Sequence, residues 1–482
     1  MALPTVVIVG AGAAGVFTAY ELNQQFPGKY TIRLLEAGPT IGGNVSSVSV
    51  TYGGQPYVID AGAQFFSASA QPNYFKLIQK LGLDGPDKTP LYPAGIIVWE
   101  KTTSTRLLWI PSSLSGFGGY TEADWKQFLD FGLFVTAAQF LNLGGNWSTT
   151  VDDFLAPIPF MGGDDFRQNV VKNFLYQFVS LPYGKIGTAS ALYAVTYFLR
   201  SITVSLTGAT FQINQSLSGL LGILVAALAA SGVTAETNNP VTSVAPGSGG
   251  VTVVAKDGTI TADHVVMACD PGSSATLLAN GKTANPDLVT LLRSLGNEYL
   301  SLKVVMQKDG QCWMPGDPKY WEAVSTLVDT QQKSVAFSAW FGPLRPPYDG
   351  NKSIPVFKSW GSPDLDPAQC GPQFFSHTHD VLLPTVSFVK NRDSLPPYQG
   401  QNRLFFAGGW TTWFDSQEAA LMSAMNVATK LGSPAAAAAD QSRGVPGASA
   451  IAANVRSWVE TVARQAPASQ QQKFTDLGNR LA

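Results

Sequence analysis

Charged residues are scarce in this chain. Lys, Arg, Asp and Glu make up 13% of the 482 residues, against a usual share of about 25%. Much of the chain must therefore be buried, or its surface sparsely charged. The two signs nearly balance, at 31 basic and 33 acidic residues and a net charge of −2. No basic run or nucleic-acid-binding module is present, so no nucleic-acid partner is expected. Cysteine is rarer still: Cys269, Cys312 and Cys370 are widely spaced and odd in number, which indicates no disulfide framework. The longest apolar run, LLGILVAALAA at 220–230, is too short to span a bilayer and suits a buried helix. The first residues lack a basic leader region, so no cleavable signal and no transmembrane segment are expected. The expected setting is soluble and cytoplasmic.

What the chain does contain begins at its start. VVIVGAGAAG at 6–15 is an apolar strand running into Gly-x-Gly-x-x-Gly, with Gly10, Gly12 and Gly15. TIRLLEAG at 31–38 is a second strand ending in an acid, Glu36. Each part has a physical task. Gly10 permits the tight turn, Gly12 lets backbone approach a pyrophosphate, and Gly15 lets helix pack on strand. The helix N-terminus presents N–H groups to phosphates. Glu36 can accept hydrogen bonds from a ribose diol, and its charge argues against a 2′-phosphate. A dinucleotide is the expected ligand.

Further along, GPTIGGN at 38–44 is a second glycine turn. Residues 46–66 read as a hairpin about Gly53-Gly54, and 72–82 as a short amphipathic helix. Segment 121–142 is helical and rich in aromatics, and 165–205 supplies a long helical region. A helix over 217–231 opens at Ser216 or Ser218. Short strands joined by glycine turns fill 240–271, and 301–309 and 334–342 are further strands. NRLFFAGG at 402–409 leads through a loop into the helix SQEAALMSAMNVATKL. After 433 a Pro-Ala stretch reads as a linker to one or two polar helices. Strand–helix units thus occur at both ends and in the middle, which one interrupted nucleotide domain explains better than two tandem domains.

VVIVGAGAAG, LLEAGPTIGGN, IDAGAQFF, the 240–271 segment and NRLFFAGGWTTWFDSQEAALMSAMNVA, in that order, resemble the flavin-containing amine oxidase superfamily. That superfamily includes amine and amino-acid oxidases, desaturases and FAD-dependent double-bond isomerases. The resemblance covers about 1–66, 212–272, 298–313 and 400–430. It implies an α/β fold: a split Rossmann-like FAD-binding domain (1–88, 211–272 and 400–432) with an inserted mixed α+β substrate domain (89–210 and 273–399). Residues 433–482 are then a linker and helical tail.

The resemblance also implies roles. Gly10, Gly12 and Gly15 hold the FAD pyrophosphate and Glu36 the adenosine ribose. Gly42, Gly43 and Asn44 form the second glycine turn, where the family usually has Arg in place of Asn44. Val241 matches a backbone contact to adenine. Ala407, Gly408 and Gly409 resemble an Ala-Gly-Glu turn, with Gly409 replacing the acid. Glu418, Ala419 and Ala420 open the last helix beneath the flavin, where backbone N–H groups can favour negative charge. Lys303 matches a lysine that reaches flavin N5 through water. Ser416 stands where cage-bearing amine oxidases keep a Tyr, so Trp410, Trp413 and Phe414 are the candidate pocket walls. LPYGKIGTASALYAVTYFL (181–199) and LPTVSF (383–388) resemble, more faintly, polyenoic fatty acid isomerases.

The remaining constellations point elsewhere. His377 and His379, in SHTHD with Asp380, lack a further ligand nearby, so a solvated loop is expected rather than a metal site. Cys370 is expected to be a free thiol and the FAD non-covalent. Asp60 reads as a structural carboxylate, and Arg106 as a surface residue. The expected function is removal of a hydride from a hydrophobic small molecule at flavin N5, most simply by an amine-oxidase-type oxidase using O2. A redox-neutral double-bond isomerase and a non-catalytic flavin-binding protein are the alternatives.

Overall fold

In the computed structural model the strand Thr5–Val9 is central to a five-stranded parallel sheet. The structure describes residues 2–52, 55–68, 70–92, 94–206, 210–211, 216–308, 310–342, 356–361, 370–412, 416–432 and 448–480. The sheet order is Leu404–Phe406, His264–Met267, Thr5–Val9, Thr31–Leu35, Thr234–Glu236. Val6 and Ile8 pack with the helices Ala13–Gln25, Ser216–Ala230 and Gln417–Gly432. Val7 and Val9 pack toward Val244, Val251 and Val253, which come from an antiparallel three-stranded layer over 241–262. Burial on both faces is why this strand reads as an unbroken apolar run. Arg33 crosses to the edge strand and binds both Glu236 oxygens, at 2.7 and 2.8 Å.

A seven-stranded mixed sheet forms the second layer, in the order Gln373–Leu382, Tyr299–Lys308, Val356–Gly361, Ser334–Trp340, Val324–Asp329, Ile96–Glu100, Thr105–Ile110. Helices stack beside it. Glu122–Gly144 starts with a Thr121/Asp124 capping box, which satisfies two otherwise orphan donors. Its Phe128, Phe131 and Phe134 join Phe174 and Phe198 in one aromatic core.

Several expectations are corrected. The 165–205 region is broken at Ser180, a helix C-cap with φ 50°, and resumes at Ala191–Leu206. The two C-terminal helices, Ala448–Ala463 and Ala468–Arg480, are amphipathic rather than polar. Trp458 and Phe474 pack on Phe128 at 5.6 and 6.1 Å between ring centres. Cys312 and Cys370 form a disulfide, with Cα atoms 5.9 Å apart, so Cys370 is not free. SHTHD lies within a strand, not a loop, and His379 is buried. The hairpin is present as Ser47–Tyr52 against Gln55–Asp60; its Gly53-Gly54 turn lies outside the described residues.

Candidate functional site

The first and second glycine turns meet. The Gly42 N–H donates to the Ala11 carbonyl at 3.0 Å, and Gly12 and Gly42 form an isolated bridge. Gly10 holds φ 100°, and a Cβ there would lie 3.0 Å from the Ala268 carbonyl oxygen. A Cβ on Gly15 would lie 1.9 Å from the Gly10 carbonyl oxygen, so helix and strand can approach this closely only at glycine. The helix Ala13–Gln25 begins at Gly12 with no side-chain cap and no acid in its first turn. Its amide end is thus left for an anion.

Over this end lies a cavity of about 770 Å³, within the range of cofactor sites, ~300–1,000 Å³. Gly10, Gly12, Glu36, Gly42, Gly43, Asn44, Val241, Gly408, Gly409 and Trp410 all line it, although they come from four distant stretches of sequence. Glu36 is oriented by the N–H groups of Ala11 (2.9 Å) and Gly38 (2.8 Å). Asn44 Nδ2 donates to the Asp380 carbonyl at 3.1 Å, tying the second glycine turn to the seven-stranded sheet. Gly408 has φ 148°, and a Cβ there would strike the Trp410 ring at 2.6 Å. Trp410 Nε1 donates to the Cys269 carbonyl at 3.3 Å. Burial raises the Cys269 thiol to about 12, so it stays protonated. The glycine cradle, the uncapped helix end and the oriented acid fit a dinucleotide.

Ala407, Ala420 and Asp380 also line the cavity, whereas Gly15, Lys303, Glu418 and Ala419 do not. Lys303 is exposed on its strand; by alternation it shares a face with Tyr299, which lines the cavity. The amides of Ala419 and Ala420 donate to the side-chain and main-chain oxygens of Ser416, at 3.2 and 2.9 Å, while Ala420 lines the cavity. Glu418 is turned away: it receives the Asn73 N–H and Nδ2 (3.1 and 2.7 Å) and the Tyr74 N–H (2.7 Å). Trp413 and Phe414 lie outside the described residues. Among the described residues no cluster of three metal-ligating side chains occurs. Asp60 caps the helix Ser216–Ala230 through the Leu217 N–H. Arg106 is not a bare surface residue. It pairs with Asp124 at 3.0 Å and stacks on Tyr320 at 3.8 Å.

Two buried bases lie behind the cavity wall; sequence reasoning missed Lys358 and expected His379 in a solvated loop. Lys358 is 2% exposed and donates to the carbonyls of Asp60 and Gly62 (3.0 Å each) and to Gln64 Oε1 (2.9 Å). His379 lies against Gly62. Burial, with the nearby charges of His377 and Lys358, lowers it to about 4, so it is neutral at pH 7. The one signal for Lys358 was a lone cation in the apolar run Val356-Phe357-Lys358-Ser359-Trp360.

The fold and the cavity together define a dinucleotide-binding α/β protein with a second sheet layer. The profile of the flavin-containing amine oxidoreductase family matches residues 13–357, and the chain belongs to that family; its cofactor is FAD. Solved structures share the fold. A putative protoporphyrinogen oxidase from Exiguobacterium sp. 255-15 is 16% identical, with 89% of this chain and 99% of that one covered and a TM-score of 0.60. A fatty acid isomerase from P. acnes that produces CLA is 14% identical, covering 89% and 98%, with a TM-score of 0.60. Cyclohexylamine oxidase from Brevibacterium oxydans IH-35A is 14% identical, covering 90% and 99%, with a TM-score of 0.59. None of the curated proteins matches the chain. Among the described residues no helix is long and apolar enough to cross a membrane.

Proposed function

We propose that the protein is an FAD-dependent oxidoreductase that takes a hydride from a hydrophobic small molecule, most simply as an amine-oxidase-type oxidase. The observation that carries this reading is the convergence of both glycine turns, Glu36, Val241 and Gly408–Trp410 on one cavity. Bound non-covalently, the flavin supplies a hydride acceptor for a substrate carbon. The chain's residues do the rest. Gly10, Gly12, Gly15 and the helix end hold the pyrophosphate, Glu36 orients the ribose, and Gly42, Gly43 and Asn44 fix the middle of the cofactor. Trp410 walls the cavity and keeps water out. Lys303 holds water at the reacting edge and offsets negative charge. We assign cofactor binding to 1–88, 211–272 and 400–432, and the substrate side to 89–210 and 273–399.

An anaerobic amine panel tests the reading: a substrate amine bleaches the flavin, and readmitted air yields peroxide. A flavin that no amine bleaches sinks the oxidase assignment. The fatty acid isomerase among the fold relatives, with the faint likeness over 181–199 and 383–388, supports a second reading. It requires rearrangement of a polyunsaturated chain without peroxide. Lys303→Met is expected to slow reoxidation by air at least ~10-fold while the reductive half-reaction holds. An unchanged oxidative half-reaction removes that role.

A further inference from the structure

The residues lining the cofactor cavity include three acids, Glu36, Asp270 and Asp380, and no lysine or arginine among those described. FAD nevertheless brings an anionic pyrophosphate. One buried cation lies a layer behind the wall. Lys358 meets three acceptors with its three N–H groups, so the ammonium is satisfied without touching a carboxylate. The three acceptors run from the last residue of the Gln55–Asp60 strand into the turn that follows it. Gly62 of that turn is pressed against the cavity wall. A Cβ there would meet the Asn44 carbonyl oxygen at 2.4 Å and His379 Cε1 at 3.4 Å.

We propose that Lys358 is a positioning residue for the cofactor: its buried ammonium fixes the Asp60–Gln64 turn behind Asn44 and supplies positive charge that the cavity lining lacks. The proposal rests on the FAD reading of the cavity. It concerns a different strand and the opposite sheet face from Lys303, since Lys358 pairs with Met306 and side chains alternate along a strand.

The surroundings set its charge. The Asp60 carboxylate is occupied by the Leu217 N–H at 3.0 Å and the Ser47 hydroxyl at 2.5 Å. His379 has no well-formed hydrogen-bond partner for either ring nitrogen and is neutral, with His377 beyond it at 4.6 Å between ring centres. Phe65 and Trp360 flank the ammonium at 5.9 and 5.8 Å. Burial draws Lys358 down to about 8, against the pull of Asp60. It is charged at neutral pH and discharges just above.

An anionic cofactor favours the charged form, so its affinity must fall as pH rises through that range. Flavin titrations of the wild type are expected to show Kd rising ~10-fold between about pH 7 and about pH 9.5. Lys358→Met should bind ~10-fold more weakly at neutral pH, with no step. Lys358→Arg should bind tightly across the range, because its charge persists. In flavin-free protein the sign reverses. The folded pKa lies below the unfolded value of about 10.4, so wild-type stability gains between about 8 and about 10.4, and Lys358→Met lacks that gain. Tight wild-type binding with unchanged affinity in Lys358→Met overturns the proposal alone. A pH step that persists in Lys358→Arg also overturns it, and decides the matter if the Met variant does not fold. A wild type that binds no flavin at all overturns the cofactor reading itself.

Discussion

Gly15→Ala is expected to yield a colourless protein. The added Cβ would sit 1.9 Å from the Gly10 carbonyl oxygen and 3.0 Å from its carbon. Those are backbone atoms, so no side chain can swing aside. The Ala13–Gln25 helix must move off the strand by more than an ångström, carrying its amide end away from the phosphates and forcing Gly10 out of its turn. Overpacking of this kind costs about 1–3 kcal/mol or more, and here the strain falls directly on the proposed phosphate seat. A loss of at least ~100-fold in FAD affinity follows, about 2.7 kcal/mol. Flavin titration and the visible absorbance of the purified protein measure it. The matched control is Gly222→Ala, in the middle of the Ser216–Ala230 helix, where nothing lies within 4 Å of the new carbon. That change should stabilise the protein by about 0.5–1 kcal/mol and leave FAD bound. A yellow Gly15→Ala protein with wild-type affinity would refute the assignment of this turn.

Glu418→Ala should be the most destabilising single truncation at the site's periphery, at about 3–5 kcal/mol. Glu418 is 1% exposed. Its carboxylate serves a helix that cannot cap itself. Pro72–Lys80 begins with a proline, and Gln71 before it makes no side-chain cap. The amides of Asn73 and Tyr74 therefore depend on Glu418, 345 residues away in sequence. Removing the carboxylate leaves three donors without it: the half-buried Asn73 N–H and Nδ2 and the buried Tyr74 N–H. Glu418→Gln keeps one acceptor oxygen and should lose about 1–2 kcal/mol. Denaturant midpoints of the flavin-free protein measure both. An Ala variant that unfolds at the wild-type midpoint would rule out this cap.

Local rules made the cofactor half legible. Gly10 and Gly15 are dictated by a turn and a close approach that no other residue permits. The 6–9 strand and 220–230 helix announce themselves by period and length. Glu36 could be placed by its position at the end of the strand after the first glycine turn, whereas Val241 and Gly408 were placed only by the family resemblance. The structure brings these residues to one cavity. What was not legible depends on partners far apart in sequence. Lys358 finds its acceptors 294–298 residues away, and a lysine's default is solvent. Cys312 and Cys370 meet because antiparallel pairing sets Gln307 opposite Gln373, which no spacing rule foresees. The last helix, Ala468–Arg480, looks polar by composition. Only the apolar face of the Glu122–Gly144 helix reveals what Trp458 and Phe474 are for. Glu418 was legible as a site residue by its place in a motif, yet its side chain works on another helix.

The order of strands in the parallel sheet has a consequence for how the chain acquires its structure. Neighbours across that sheet are Thr5–Val9 with His264–Met267, and then His264–Met267 with Leu404–Phe406. As the polypeptide leaves the ribosome, the His264–Met267 strand emerges well before its outer neighbour. It must wait, with one row of amides and carbonyls unpaired, until some 140 further residues have been made. Contacts so distant in sequence are slow to close, and an open strand edge recruits other chains. Val265 pairs with Leu404 only at the end of that interval, and Gly408 reaches the cavity only after it. The cavity is thereby completed only late in synthesis: until Leu404–Phe406 docks, it lacks the wall formed by Gly408, Gly409 and Trp410.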